Sequence, residues 1–149
     1  MISQHIISSS EALEDINVTA MAPLPAPAEL HTHLILRGGT QPNYGAEVVA
    51  SSRACLAAQA LPLAVMIDCS HGNCANDPAR QTVVAREVVA RRAAGEAGIM
   101  GLMIESHIAW GNQSFKPGAG QLQYGVSITD ACIDWATTAA LLRELDAML

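Results

Sequence analysis

Three continuous apolar runs set the pattern of the chain, and each ends in polar residues. Leu34-Ile35-Leu36 leads into Arg37-Gly38-Gly39, Ala64-Val65-Met66-Ile67 into Asp68-Cys69-Ser70-His71, and Ile99 to Ile104 into Glu105-Ser106-His107. A short apolar run bounded by turn residues is the signature of a strand buried on both faces. The pattern predicts strands over about 31–36, 63–69 and 98–104. Between them the apolar period lengthens to that of a helix. A first helix is expected from about Ala46 to Ala60, with Val49, Arg53, Leu56 and Ala60 on one side and Pro62 beyond its end. Asp77-Pro78 supplies an N-cap and a first-turn proline for the next helix. Its apolar stripe is Val84, Ala85, Val88 and Val89, and Gly95 ends it. The last helix is expected from about Thr137, with Leu141, Leu142, Leu145, Met148 and Leu149 forming an amphipathic face. A long loop, Gly111 to Ser127, carries Lys116-Pro117-Gly118, and loops of this length are often functional.

The spacing is regular. Arg37, His71 and Glu105 follow one another at intervals of 34 residues. A β/α barrel of about 250 residues allots about 31 residues to each strand-plus-helix unit. The chain therefore reads as α/β, with about three consecutive β/α units and parallel strands. In such folds the C-terminal ends of neighbouring strands hold the active site. Arg37, His71 and Glu105 are expected to converge there.

Residues 1–29 do not share this pattern. Met1 to Ile7 suits a short strand and Ser10 to Ile16 a turn or two of helix. Pro23, Pro25 and Pro27, separated by small or apolar residues, suit an extended linker. The expected organisation is a distinct segment over 1–29 followed by one α/β unit over 30–149.

Composition narrows the function classes. Of 149 residues half are hydrophobic and only five are aromatic, which suits helices packed on parallel strands. A net charge of −6 argues against nucleic-acid binding. Lys116 is the sole lysine, so phosphate must be held by arginine, backbone N–H groups or metal. Cys55, Cys69, Cys74 and Cys132 form no CxxC pair and are expected as free thiols. No basic segment precedes an apolar core at the N-terminus, and no apolar run approaches membrane-spanning length. No membrane partner and a cytoplasmic location are the expectations.

The strand-end residues carry the candidate chemistry. His71 is a common ligand type and a base near neutral pH, or simply a histidine hydrogen-bonded at a strand end. Glu105 is a ligand or a solvated carboxylate, Asp130 a ligand or a cap for the last helix, and Arg37 an anion clamp or an ion-pair partner. Asp68 and His107 are open to either reading. Taken together, one histidine and two carboxylates suit a divalent cation such as Mn²⁺ or Fe²⁺. An arginine beside them suits a bidentate phosphate or carboxylate.

Four strings add a family resemblance. These are Leu34–Gly39 with Pro42-Asn43-Tyr44, Val65–Asn73, Met103–His107 with Gly111-Asn112-Gln113, and Tyr124-Gly125 with Ser127–Ile133. In order and spacing they closely resemble the C-terminal third of class I 3-deoxy-D-arabino-heptulosonate 7-phosphate (DAHP) synthases. The resemblance covers about residues 31–149 and matches residues 1–29 poorly. It implies part of a (β/α)8 TIM barrel, the last three of eight strands. It also implies a metal-dependent transferase that condenses phosphoenolpyruvate with erythrose 4-phosphate, the first step of the shikimate pathway of aromatic amino-acid synthesis. Carried over by position, His71, Glu105 and Asp130 are metal ligands and Arg37 binds phosphoenolpyruvate. Mn²⁺ or Fe²⁺ is the implied cation, with Co²⁺ and Zn²⁺ as alternatives. Asn76 stands where the family usually has a lysine, Asp134 where it has a glycine, and Ala109-Trp110 where it has a Val-Glu pair. The cysteine ligand and most phosphate-binding cations of the family lie outside the matched strings. A lone chain of this kind is expected to be incomplete, and to form a homo-oligomer or to associate with another synthase chain. The alternative is a non-catalytic truncated remnant, or an interaction module that pairs with a full-length synthase.

Overall fold

The structure, a computed structural model, describes residues 33–115 and 122–149. The elements expected before residue 33, and Lys116-Pro117-Gly118, lie outside the described residues. In chain order the elements are β1 (Leu34–Leu36), α1 (Ala46–Ala58), β2 (Val65–Asp68), α2 (Gln81–Ala93), β3 (Ile99–Met103) and α3 (Trp135–Met148). Two short 3₁₀ turns, His71–Cys74 and Pro78–Arg80, join β2 to α2. The sheet has the order β1-β2-β3, and both pairings are parallel.

The register explains the apolar runs. Leu34, Val65 and Ile99 align across the sheet, as do Leu36, Ile67 and Leu102. Between these two rows the β2–β3 register shifts by one residue, leaving Met100 unpaired as a bulge on β3. Leu34, Leu36, Val65, Ile67 and Ile99 join one core with Val49 and Leu56 of α1, Val84, Ala85, Val88 and Val89 of α2, and Leu141 and Leu145 of α3. All three helices thus contribute to the core that one face of the sheet enters. Ile35, Met66 and Gly101 form the row on the other face.

Local chemistry sets the helix boundaries. The α2 stripe packs as expected. Asp77 caps its entry by accepting the Ala79 N–H at 3.0 Å, but the chain first winds a 3₁₀ turn, and the α-helix begins only at Gln81. In α1 the buried residues are Val49, Ser52 and Leu56; Arg53 is half-buried, and Ala60 lies beyond the helix with φ +54°. Helix α3 starts two residues before Thr137 because Asp134 is its N-cap, accepting the Thr137 N–H at 2.7 Å. Asp130 therefore does not cap this helix. Leu142 and Leu149 of the expected apolar face are exposed. No helix among the described residues is long and apolar enough to cross a membrane.

Candidate metal centre

Strand β2 ends at Asp68, whose side chain is almost wholly buried. A buried carboxylate needs donors to offset its lost hydration, and the next turn supplies them. The Ser70 N–H donates to Asp68 Oδ1 at 2.8 Å, and the Ser70 hydroxyl donates to the same oxygen. Asp68 Oδ2 lies 2.8 Å from His71 Nδ1. That contact assigns the imidazole proton to Nδ1 and leaves the Nε2 lone pair facing outward, the tautomer a metal ligand requires. His71 itself has φ +50°, a left-handed conformation uncommon for a residue with a side chain. Such strain persists where the surroundings over-determine it, and here Asp68 and Ser70 hold the ring.

Asn73 locks this turn to β1. Its Nδ2 donates to the Leu36 carbonyl at 3.0 Å and to the Asp68 carbonyl at 2.8 Å, and its Oδ1 accepts the Asn43 N–H at 2.8 Å. Asn43 Oδ1 accepts the Gly38 N–H at 2.7 Å. The backbones of Gly38-Gly39 and Gly72 are in direct apposition. A Cβ on Gly38 would lie 2.5 Å from Asn73 N, and one on Gly72 would lie 2.5 Å from the Gly39 carbonyl oxygen.

Glu105 follows β3 by two residues. Its carbonyl accepts the Ile133 N–H at 3.1 Å, and the His107 N–H donates to Ile133 O at 3.0 Å. The segment 125–133 then runs beside 105–113, fastened by the exchange of Gly111 and Cys132 N–H groups and by Gln113 N–H to Ser127 O at 2.8 Å. The ends of the expected loop are therefore paired backbone. This pairing carries Asp130 to the rim beside His71.

The three donors meet. His71 Nε2 is 3.4 Å from Asp130 Oδ2 and 3.9 Å from Glu105 Oε1, and one ligand atom from each residue lies within 4.8 Å of the others. Two ligands about 2.1 Å from a shared ion stand about 3.0–4.2 Å apart, depending on the angle between them. Both spacings from His71 fall in this range, and with the histidine already in the ligand tautomer they suit a divalent cation. Asp130 is the most exposed donor, with its side chain 64% accessible, and Glu105 is 34% accessible. The residues border a cleft of about 350 Å³, completed by Ser70, Cys74, Asn76, Asn112 and Ala131. No lysine or arginine among the described residues lines it.

The other candidates do not line the cleft. Arg37 is half-buried just after β1 and outside the residues lining the cleft. The His107 ring nitrogen Nδ1 is tied to the Gly125 carbonyl, away from the three donors. All four cysteines are free thiols. Burial, reinforced by the Asp68 charge, pushes Cys69 up to about 12, so it stays protonated at neutral pH. Burial also raises Cys74 and Cys132, whose Sγ lies 3.9 Å from Glu105 Oε2. Two further residues build the site although the sequence analysis assigned neither a role. Asn73 is a polar residue in a turn, and Gln81 is a polar residue in a first helical turn; only burial reveals either as structural.

A parallel α/β sheet with His, Glu and Asp donors gathered beyond its strand ends defines a protein with a candidate divalent-cation centre on an α/β scaffold. Similarity to known proteins narrows the class. A profile of the DAHP synthetase I family matches residues 5–143. The chain is 50% identical over 113 residues to the Tyr-sensitive phospho-2-dehydro-3-deoxyheptonate aldolase of Enterobacter agglomerans, covering 76% of this chain and 53% of that protein. It is also 50% identical over 113 residues to the Tyr-sensitive enzyme of Escherichia coli K12, covering 76% of this chain and 32% of that one. The solved structure of the phospho-2-dehydro-3-deoxyheptonate aldolase of Francisella tularensis SCHU S4 superposes with a TM-score of 0.73 at 37% identity, covering 80% of this chain and 34% of that chain. The chain belongs to the DAHP synthetase I family. It spans about half the length of the first of these relatives and about a third of the others.

Proposed function

We propose that the described residues form part of the wall of a (β/α)8 barrel and carry part of a DAHP synthase site. In this reading His71, Glu105 and Asp130 are ligands to a divalent cation, Mn²⁺ or Fe²⁺, and Arg37 is a contact for phosphoenolpyruvate. The observation that carries it is the meeting of three donors from three separate segments, with His71 Nδ1 held by buried Asp68. The barrel reading is supported by helices contributing to the core on one side of three parallel strands, and by the aligned row of Ile35, Met66 and Gly101 on the other.

The proposed reaction joins C3 of phosphoenolpyruvate to the aldehyde carbon of erythrose 4-phosphate. Water adds at C2, and phosphate leaves with cleavage of its bond to that carbon. A divalent cation bound at the site would supply Lewis-acid polarisation of the aldehyde oxygen. The chain's own residues do the rest of what is proposed here. Asp68 and Ser70 hold the His71 ring, the Ile133 N–H and the Gln81 amide hold the Glu105 backbone, and Arg37 supplies positive charge for the phosphoenolpyruvate anion. Two phosphorylated substrates need more cations than the cleft shows, and three strands do not close a barrel. The remaining wall and phosphate contacts are proposed to come from polypeptide outside the described residues.

The test is phosphate release from phosphoenolpyruvate with erythrose 4-phosphate and Mn²⁺, for the chain alone and with the N-terminal barrel part of a relative added. Release that is lost in His71→Ala supports the reading. Folded chain that never exceeds His71→Ala, with or without the added part, refutes catalysis. That result favours the second reading, a non-catalytic module that pairs with a full-length synthase. Exposed Ile108, Trp110 and Trp135 are the observation on its side.

A further inference from the structure

We infer that Gln81, the first residue of α2, is a positioning residue for the cation centre, because its side chain stands in for the strand that Glu105 has lost. The inference rests on the proposed cation-binding role of His71, Glu105 and Asp130. The β2–β3 pairing ends at Asp68 and Met103, since β2 turns away at that point into the strained His71 turn. Glu105 therefore lies beyond the last ladder pair, with the neighbouring strand gone from one side. Its carbonyl oxygen accepts two donors, one of them the Ile133 N–H at 3.1 Å. The other belongs to the Gln81 amide, which makes a paired contact with Glu105. Its Oε1 accepts the Glu105 N–H at 2.8 Å, and its Nε2 donates to the Glu105 carbonyl at 3.2 Å.

A primary amide presents the same donor and acceptor that a peptide group does, so the contact reproduces a strand's exchange of bonds with one residue. Its direction is unambiguous, because only Oε1 can accept from N–H and only Nε2 can donate to a carbonyl. Gln81 has no measurable exposure. A buried amide is costly unless both of its ends are bonded, and both of the bonds found go to this one backbone unit. The neighbours of Gln81 on the same helix face, Val84, Ala85 and Val88, are apolar. An apolar residue would fill the position equally well, so packing alone gives no reason for glutamine. The chain from His71 through the two 3₁₀ turns to Gln81 thereby links one proposed ligand directly to the backbone of another. The Glu105 carboxylate is fixed relative to His71 Nε2 through this clasp.

The test is Mn²⁺ titration of the full chain, read by the loss of the free-ion EPR signal, for the wild type and for Gln81→Met. Gln81→Met keeps length and volume and removes both bonds. Removing such support behind a ligand typically weakens metal affinity by about 10- to 100-fold, and that is the expected result. Val84→Ala is the control: it loosens the same helix face and lowers Tm, and its Mn²⁺ affinity and bound-ion spectrum should stay at the wild-type values. Wild-type affinity in Gln81→Met overturns the inference, as does an equal loss in Val84→Ala. Should Gln81→Met fail to fold, Gln81→Leu stabilised by an osmolyte gives the same comparison, with the same two outcomes. A wild-type chain whose Mn²⁺ binding is unchanged by His71→Ala refutes the underlying ligand assignment, and is read separately from either result at position 81.

Discussion

Asp68 shows how much of a proposed ligand's behaviour is set by the residue behind it. It is not among the residues lining the cleft, yet it decides which imidazole nitrogen is free. Asp68→Asn keeps the shape and removes the charge, and its amide can turn a donor toward Nδ1. The expected result is Mn²⁺ affinity lowered by about 10- to 100-fold with the fold retained, checked by titration alongside circular dichroism. Gly72 makes a different demand. A Cβ there would lie 2.5 Å from Gly39 O and 2.6 Å from Gly38 C, both of them backbone atoms that cannot rotate away. Gly72→Ala is expected to destabilise the chain by about 1–3 kcal/mol, measured by urea unfolding, and to loosen the clasp between the β1 and β2 ends. The sequence placed His71 and Glu105 correctly at strand ends, because apolar runs and their polar stops are local signals. It left Asp68 open and did not single out Gln81 or Asn73. Their roles depend on partners 24 and 37 residues away, and neither burial nor pairing is written locally.

At the scale of elements, the apolar periods located every strand and helix described, with errors confined to the ends. Those errors have identifiable causes. Asp134 caps α3 and moves its start to Trp135. Pro78 begins a 3₁₀ turn before α2, and the segment expected as an open loop has its ends paired through backbone bonds that no periodicity announces. The caps and clasps also predict acid behaviour. The Thr137 N–H holds Asp134 below its ordinary value of 3.8, and the Arg86 guanidinium holds Glu144 below 4.5 through bonds at 2.7 and 2.9 Å that join α2 to α3. A carboxylate lowered on folding contributes stability above its unfolded value, and that contribution disappears as pH falls through the lowered one. The urea midpoint is thus expected to fall between about pH 5 and pH 3. Glu144→Gln should lower the midpoint at pH 7 and narrow its difference from the wild type at pH 3. A core change behaves otherwise. Ile67→Ala, at a wholly buried position in the central strand, should cost about 2–5 kcal/mol at either pH.

At the largest scale, the central fact is that the described residues of a chain from a family of longer enzymes hold three parallel strands, three helices and a rim carrying three converging donors. The strand ends that gather these donors are also the ends that a barrel would direct toward a ligand. The most direct measurement is stoichiometric Mn²⁺ binding by the chain itself, compared with His71→Ala and Glu105→Ala. One Mn²⁺ per chain is expected for the wild type, with loss of that ion in each variant while the variants stay folded. Equal binding by all three proteins would contradict that expectation.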